Sequence, residues 1–81
     1  MWVLMEEIYS VNDNGEIGPM FRATPIECSE SFDTMCIAMM AYADELGTQG
    51  YSAEPTTIDR YVRLRSNSYV KDLYVRKTMY G

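Results

Sequence analysis

Apolar residues recur at a helical spacing in one stretch of the chain, SFDTMCIAMMAYADELG from Ser31 to Gly47. Phe32, Met35, Cys36, Met39, Ala43 and Leu46 fall three and four apart, so they share one stripe of an amphipathic helix that must face a core. Ser31 suits the N-cap because its hydroxyl can accept from an amide that lacks an intrahelical partner. Asp33 in the first turn complements the positive end of the helix dipole. Gly47 is the expected stop, since glycine enters the left-handed region without steric cost.

The remaining apolar runs follow a strand pattern. Trp2 to Val11, WVLMEEIYSV, is rich in β-formers and has no helical period. One face would carry Trp2, Leu4, Glu6 and Ile8, and the other Val3, Met5, Glu7, Tyr9 and Val11; both begin apolar, which suits a central strand. Asn12-Asp13-Asn14-Gly15 then predicts a hairpin, because Asn-Gly tolerates positive φ. The returning strand, Glu16 to Thr24, contains Gly18-Pro19 and therefore belongs at an edge or carries a bulge, since proline cannot donate to the ladder. Thr24-Pro25 marks an exit from the sheet. Thr48 to Thr56 lacks periodicity and reads as a loop, either a crossover or a binding loop.

Thr57 to Arg65 and Tyr69 to Tyr80 alternate and form a last hairpin around Ser66-Asn67-Ser68. Pairing Leu64 with Leu73 and Val62 with Val75 puts these four and Ile58 on the inward face. The outward face then aligns Arg65 with Asp72, Arg63 with Tyr74, and Tyr61 with Arg76. The order strand, strand, helix, strand, strand predicts an α+β fold: a four-stranded antiparallel sheet, order 2-1-3-4, with the helix across one face. Residues 1–81 read as a single domain, with no internal repeat or low-complexity tract.

Composition narrows the function classes. At 81 residues and 47% hydrophobic, the chain can build a core but has little left to wall off a deep catalytic cleft. No apolar run approaches a membrane span, and the start MWVLMEE lacks the basic residues and length of a signal peptide, so a cytoplasmic protein without membrane contact is expected. That location implies reduced thiols at Cys28 and Cys36, with Cys36 in the core. The net charge of −5 is unevenly spread. Through Gly50, nine acidic residues oppose a single base, Arg22; beyond it, Glu54, Asp59 and Asp72 meet Arg60, Arg63, Arg65, Lys71, Arg76 and Lys77. Such a division suits an interface with opposite-signed ends.

Catalytic chemistry lacks its usual groups. Without histidine there is no Ser-His or Cys-His dyad, and two cysteines alone cannot complete a tetrahedral zinc site. The adjacent pairs Glu6-Glu7 and Asp44-Glu45 diverge on a strand or a helix, so both read as solvated charge. No glycine pattern cradles phosphate. The chain is therefore expected to be neither an enzyme nor a holder of metal or cofactor.

Two surfaces remain as candidates. Tyr61, Arg63, Arg65, Tyr74, Arg76 and Tyr80 would stand on the outer face of the last hairpin, and tyrosine with arginine is the composition that interface cores enrich. The uncharged helix segment CIAMMAYA carries more apolar surface than one stripe can hide, which makes Ile37, Ala41 and Tyr42 candidates for self-association as a homodimer. No motif assigns a family. In being compact, acidic, histidine-free and without enzyme motifs, the chain is similar in general character to small phage-encoded inhibitors of host proteins, anti-CRISPR proteins included. That resemblance implies binding to a host protein in the bacterial cytoplasm and steric occlusion through the Tyr/Arg face. The alternatives are a nucleic-acid-binding module using the basic hairpin, which the overall acidity disfavours, and an acidic DNA mimic using Glu6, Glu7, Asp13 and Glu16.

Overall fold

The computed structural model describes residues 1–56 and 60–78. Its elements are β1 (Trp2–Val11), β2 (Ile17–Ser29), α1 (Phe32–Gly47), β3 (Ser52–Ala53), β4 (Tyr61–Arg65) and β5 (Tyr69–Lys77). They form an α+β fold in which one helix packs on an antiparallel five-stranded sheet of order β2-β1-β5-β4-β3.

The helix follows the stripe. Ser31 Oγ accepts from the Thr34 N–H at 3.2 Å, and Met35, Met39 and Leu46 are buried. Phe32, Cys36 and Ala43 pack around them, against Leu4, Leu64, Leu73 and Val75 of the sheet. Gly47 is not the stop: it is still helical, Thr48 is the C-cap, and after the helix the chain first takes positive φ at Gly50. The cap is closed by the Thr48 hydroxyl and N–H, which both donate to the Glu45 carbonyl, so no left-handed residue is needed at position 47.

The sheet departs from the expected order, 2-1-3-4, and from the expected four strands. The last strand, not the one before it, lies beside β1, and the stretch expected to be loop supplies a fifth strand, β3. The reason is geometric. The short β3 takes the chain back along the sheet after α1, so that β4 and β5 can follow as an antiparallel hairpin. The nine-residue β5 then has its backbone groups paired on both sides, and the five-residue β4 is served by the two residues of β3.

Two further boundaries move. β2 continues through Pro25 to Ser29 instead of leaving the sheet at Thr24. It is an edge strand, where a missing N–H costs no ladder bond. Its register with β1 also shifts at three places, so Ile26 and Phe21 stand as extra residues without a partner on β1. In the last hairpin the register sits two residues from the expected one: Arg63 opposes Asp72, Leu64 opposes Lys71 and Val62 opposes Leu73. The turn centres on Asn67-Ser68, where Ser66 Oγ accepts from the Ser68 and Tyr69 N–H groups, which returns the β-former Tyr69 to the strand. A two-residue shift preserves the faces and changes only the partners. Ile58 and Tyr80, along with the ends of the strands expected there, lie outside the described residues.

The molecule measures 42 × 23 × 22 Å, whereas a 16-residue helix spans roughly 24 Å. One end of the β1–β2 hairpin therefore runs past α1, where the exposed Phe21 packs on the Tyr69 ring at 5.9 Å. Among the described residues no helix is long and apolar enough to cross a membrane.

Candidate protein-binding face

The strand periodicity sends Trp2, Leu4 and Glu6 of β1 toward α1. Val3, Met5, Glu7, Tyr9 and Val11 go to the opposite face, which no helix covers among the described residues. Because β5 lies between β1 and β4, three strands build this face in rows. One row runs Glu7, Asp72, Arg63; the next runs Met5, Tyr74, Tyr61; a third runs Tyr9, Val70, Arg65.

The first row sets two carboxylates directly opposite one another, an arrangement that destabilises a sheet unless each charge is met by donors. Each is. Glu7 accepts from the Tyr9 hydroxyl at one oxygen and from the Tyr74 hydroxyl at the other, both at 2.8 Å. Asp72, buried at 4% exposure, accepts two bonds from Arg63, at 2.7 and 2.8 Å from Nε and Nη2. This paired geometry is the strong form of a charge-assisted bond, and it raises the Arg63 pKa further above its ordinary value.

The tyrosines record the same neighbourhood. The hydrogen bond to Glu7, reinforced by desolvation, pushes Tyr9 up to about 12. Desolvation first, then the Glu7 hydrogen bond, raises Tyr74; desolvation first, then the Asp72 charge, raises Tyr61. All three phenols stay neutral at physiological pH and are half-buried, and the hydroxyls of Tyr9 and Tyr74 are anchored on Glu7.

Arg65 is used within the fold. Its Nε bonds Glu54 at 2.7 Å, and its Nη1 donates to the Gly15 carbonyl at 3.2 Å, which ties the β1–β2 turn to the end of β4. Val70, fully buried on this face between Tyr9 and Arg65, lies near that closure. Arg76 is exposed. The structure thus brings Tyr61, Arg63, Arg65 and Tyr74 together, leaves Arg76 at the margin, and does not describe Tyr80.

Sequence reasoning missed Glu7, Tyr9 and Asp72 as members of this cluster. Alternation in β1 already put Glu7 and Tyr9 on one side. What it lacked was the identity of the strand next door. Two expectations about charge and exposure are also corrected. Glu6 is not solvated: it is 5% exposed beneath α1, because the Tyr42 hydroxyl and the Lys71 ammonium meet it there. Of the three helix positions expected at a self-association surface, Ile37 and Ala41 are exposed, but Tyr42 turns inward to reach Glu6 and packs on the core.

Elsewhere, Trp2, Phe32, Cys36 and Arg60 line an open pocket of about 560 Å³. Both cysteines are free, with Cys28 exposed and Cys36 half-buried. Among the described residues no cluster of three or more metal-ligating side chains occurs. No family model, curated protein or solved structure matches the chain.

Proposed function

We propose that this chain is a non-enzymatic protein-binding domain that contacts its partner through the helix-free face of the sheet. In the manner of a small phage-type inhibitor, it would act by occluding a host protein. The observation that carries this reading is the pair of carboxylate clamps, Glu7 on Tyr9 and Tyr74, and Asp72 on Arg63. Tyrosine and arginine offer large contact area, and side chains already held in place lose little rotamer entropy on binding.

Charge bookkeeping favours a protein over nucleic acid. Arg63 and Arg65 are neutralised by Asp72 and Glu54, which leaves Arg76 as the cation of this face without an ion pair among the described residues, since Lys77 opposes Trp2 and shares its side of the sheet. One such group supplies little of the phosphate neutralisation on which nucleic-acid affinity rests. A DNA mimic is disfavoured because Glu6 and Glu7 are committed to internal bonds.

The test is quantitative affinity capture from host extract with the tagged chain and with its Tyr61→Ala/Tyr74→Ala variant. A partner retained by the first and lost by the second supports the reading. A partner captured equally by both, or a nucleic acid whose binding falls steeply with salt and with Arg76→Ala, defeats it.

A further inference from the structure

The ion pairs among the described residues are Arg63–Asp72, Arg65–Glu54 and Lys71–Glu6. None involves a carboxylate of β2 or α1. Glu27 and Glu45 stand on either side of a shallow groove of about 260 Å³ where α1 passes β2, and the rest of its lining is Leu4, Ile26, Ala38, Ala41 and Tyr42.

The fold creates this groove for identifiable reasons. Ile26 is an extra residue of β2: Glu27 opposes Leu4 and Pro25 opposes Met5, so Ile26 has no cross-strand partner and remains 38% exposed. Ala38 and Ala41 are too short to fill the space above it. Ile37, one turn before Ala41 and 70% exposed, extends the apolar surface along the outer helix. The Tyr42 hydroxyl is spent on Glu6, so Tyr42 offers only its ring. The charged groups offered to a ligand are therefore two carboxylates, with no cation among the lining residues.

The geometry points to this groove as a second docking site, one that takes an amphipathic segment of a partner protein. Its apolar ridge lies on Ile26, Ala38 and Ala41, and its lysines or arginines meet Glu27 and Glu45. Charge selects this occupant over a second copy of the chain: a two-fold pairing would press the same acidic rims against each other. The site is separate from the sheet face, so either can fail without the other.

The experiment uses the full chain and two synthetic amphipathic helices of equal length, one of leucine and lysine, the other of leucine and glutamate. The Leu/Lys peptide binds with one-to-one stoichiometry, at least about tenfold tighter than the Leu/Glu peptide, and weakens as salt rises. Its amide shift changes centre on Ile26, Ala38, Ala41 and Glu45. Glu27→Gln with Glu45→Gln lowers its affinity by about tenfold, a loss of about 1.4 kcal/mol. Ala41→Trp, an exposed substitution whose fold is checked by its melting curve, abolishes binding, whereas Tyr61→Ala/Tyr74→Ala leaves it unchanged. Equal affinity for both peptides, indifference to the double glutamine variant, shift changes on the sheet face, or a dimer dissociated by Ala41→Trp would each overturn the proposal.

Discussion

The Tyr42 hydroxyl on α1 donates to Glu6 Oε2 on β1 at 2.5 Å, across the helix–sheet interface. The Lys71 ammonium approaches the same oxygen at 3.4 Å and rests over the Tyr51 ring at 5.2 Å. A carboxylate under a helix is costly unless donors surround it, and this one has a phenol and an ammonium. Desolvation, and then the Glu6 hydrogen bond, raises the Tyr42 pKa.

Removing only the phenol oxygen should expose the value of that contact. Tyr42→Phe is expected to lower unfolding free energy by about 1–3 kcal/mol, because Glu6 keeps its burial and loses a donor. Urea unfolding measures the change, and an unaltered midpoint would mean that water replaces the hydroxyl.

Core and surface leucine-sized residues should separate cleanly. Leu73, fully buried between the sheet and α1, should cost about 2–5 kcal/mol on replacement by alanine. Ile37→Ala, on the outer helix, should stay within about 0.5 kcal/mol. Denaturant curves showing the reverse ranking would place the core on the other side of the helix.

On the helix-free face, Arg63→Met leaves the buried Asp72 opposite Glu7 with its strongest donor gone, and a loss of about 1–3 kcal/mol is expected. Asp72→Asn should cost less, since it removes the like-charge pair and frees a guanidinium that is 30% exposed to turn toward solvent. Thermal unfolding of the two variants ranks them; Asp72→Asn falling below Arg63→Met would contradict the assignment.

Stability should decline at alkaline pH. Tyr9, Tyr42, Tyr61 and Tyr74 all titrate above the ordinary 10.0 when folded. From about pH 10 to 12 the unfolded chain therefore releases phenolic protons that the folded chain still holds, which favours unfolding progressively. The contribution is fully present below pH 10 and is lost as pH rises through the folded values. Phenolate absorbance should titrate later in the native protein than in urea, and Tyr9→Phe should flatten the stability profile. Coincident titrations would refute this.

The elements were legible because their signals are local. The three- and four-residue spacing of Phe32, Met35, Met39, Ala43 and Leu46 marks α1, alternation marks β1 and the last hairpin, and Asn14-Gly15 marks the turn at which Gly15 takes positive φ. Pro25 misled because its meaning depends on context: it ends an interior strand but is harmless on an edge. Ser52–Ala53 left no trace, because two residues are too few to show a period.

The one-dimensional pattern by itself determined the helix and the four longer strands, though not β3 or the end of β2, and which side chains of the last hairpin share a face, since parity along a strand survives any two-residue slip. Only the tertiary structure decided that β5 and not β4 lies beside β1, that Asp72 meets both Glu7 and Arg63, and that Glu6 is enclosed while Glu27 and Glu45 are not. Those outcomes depend on which strands can pair their backbone groups on both edges and on where a short helix falls on a long sheet, and these are properties of the assembled chain, not of any segment of it.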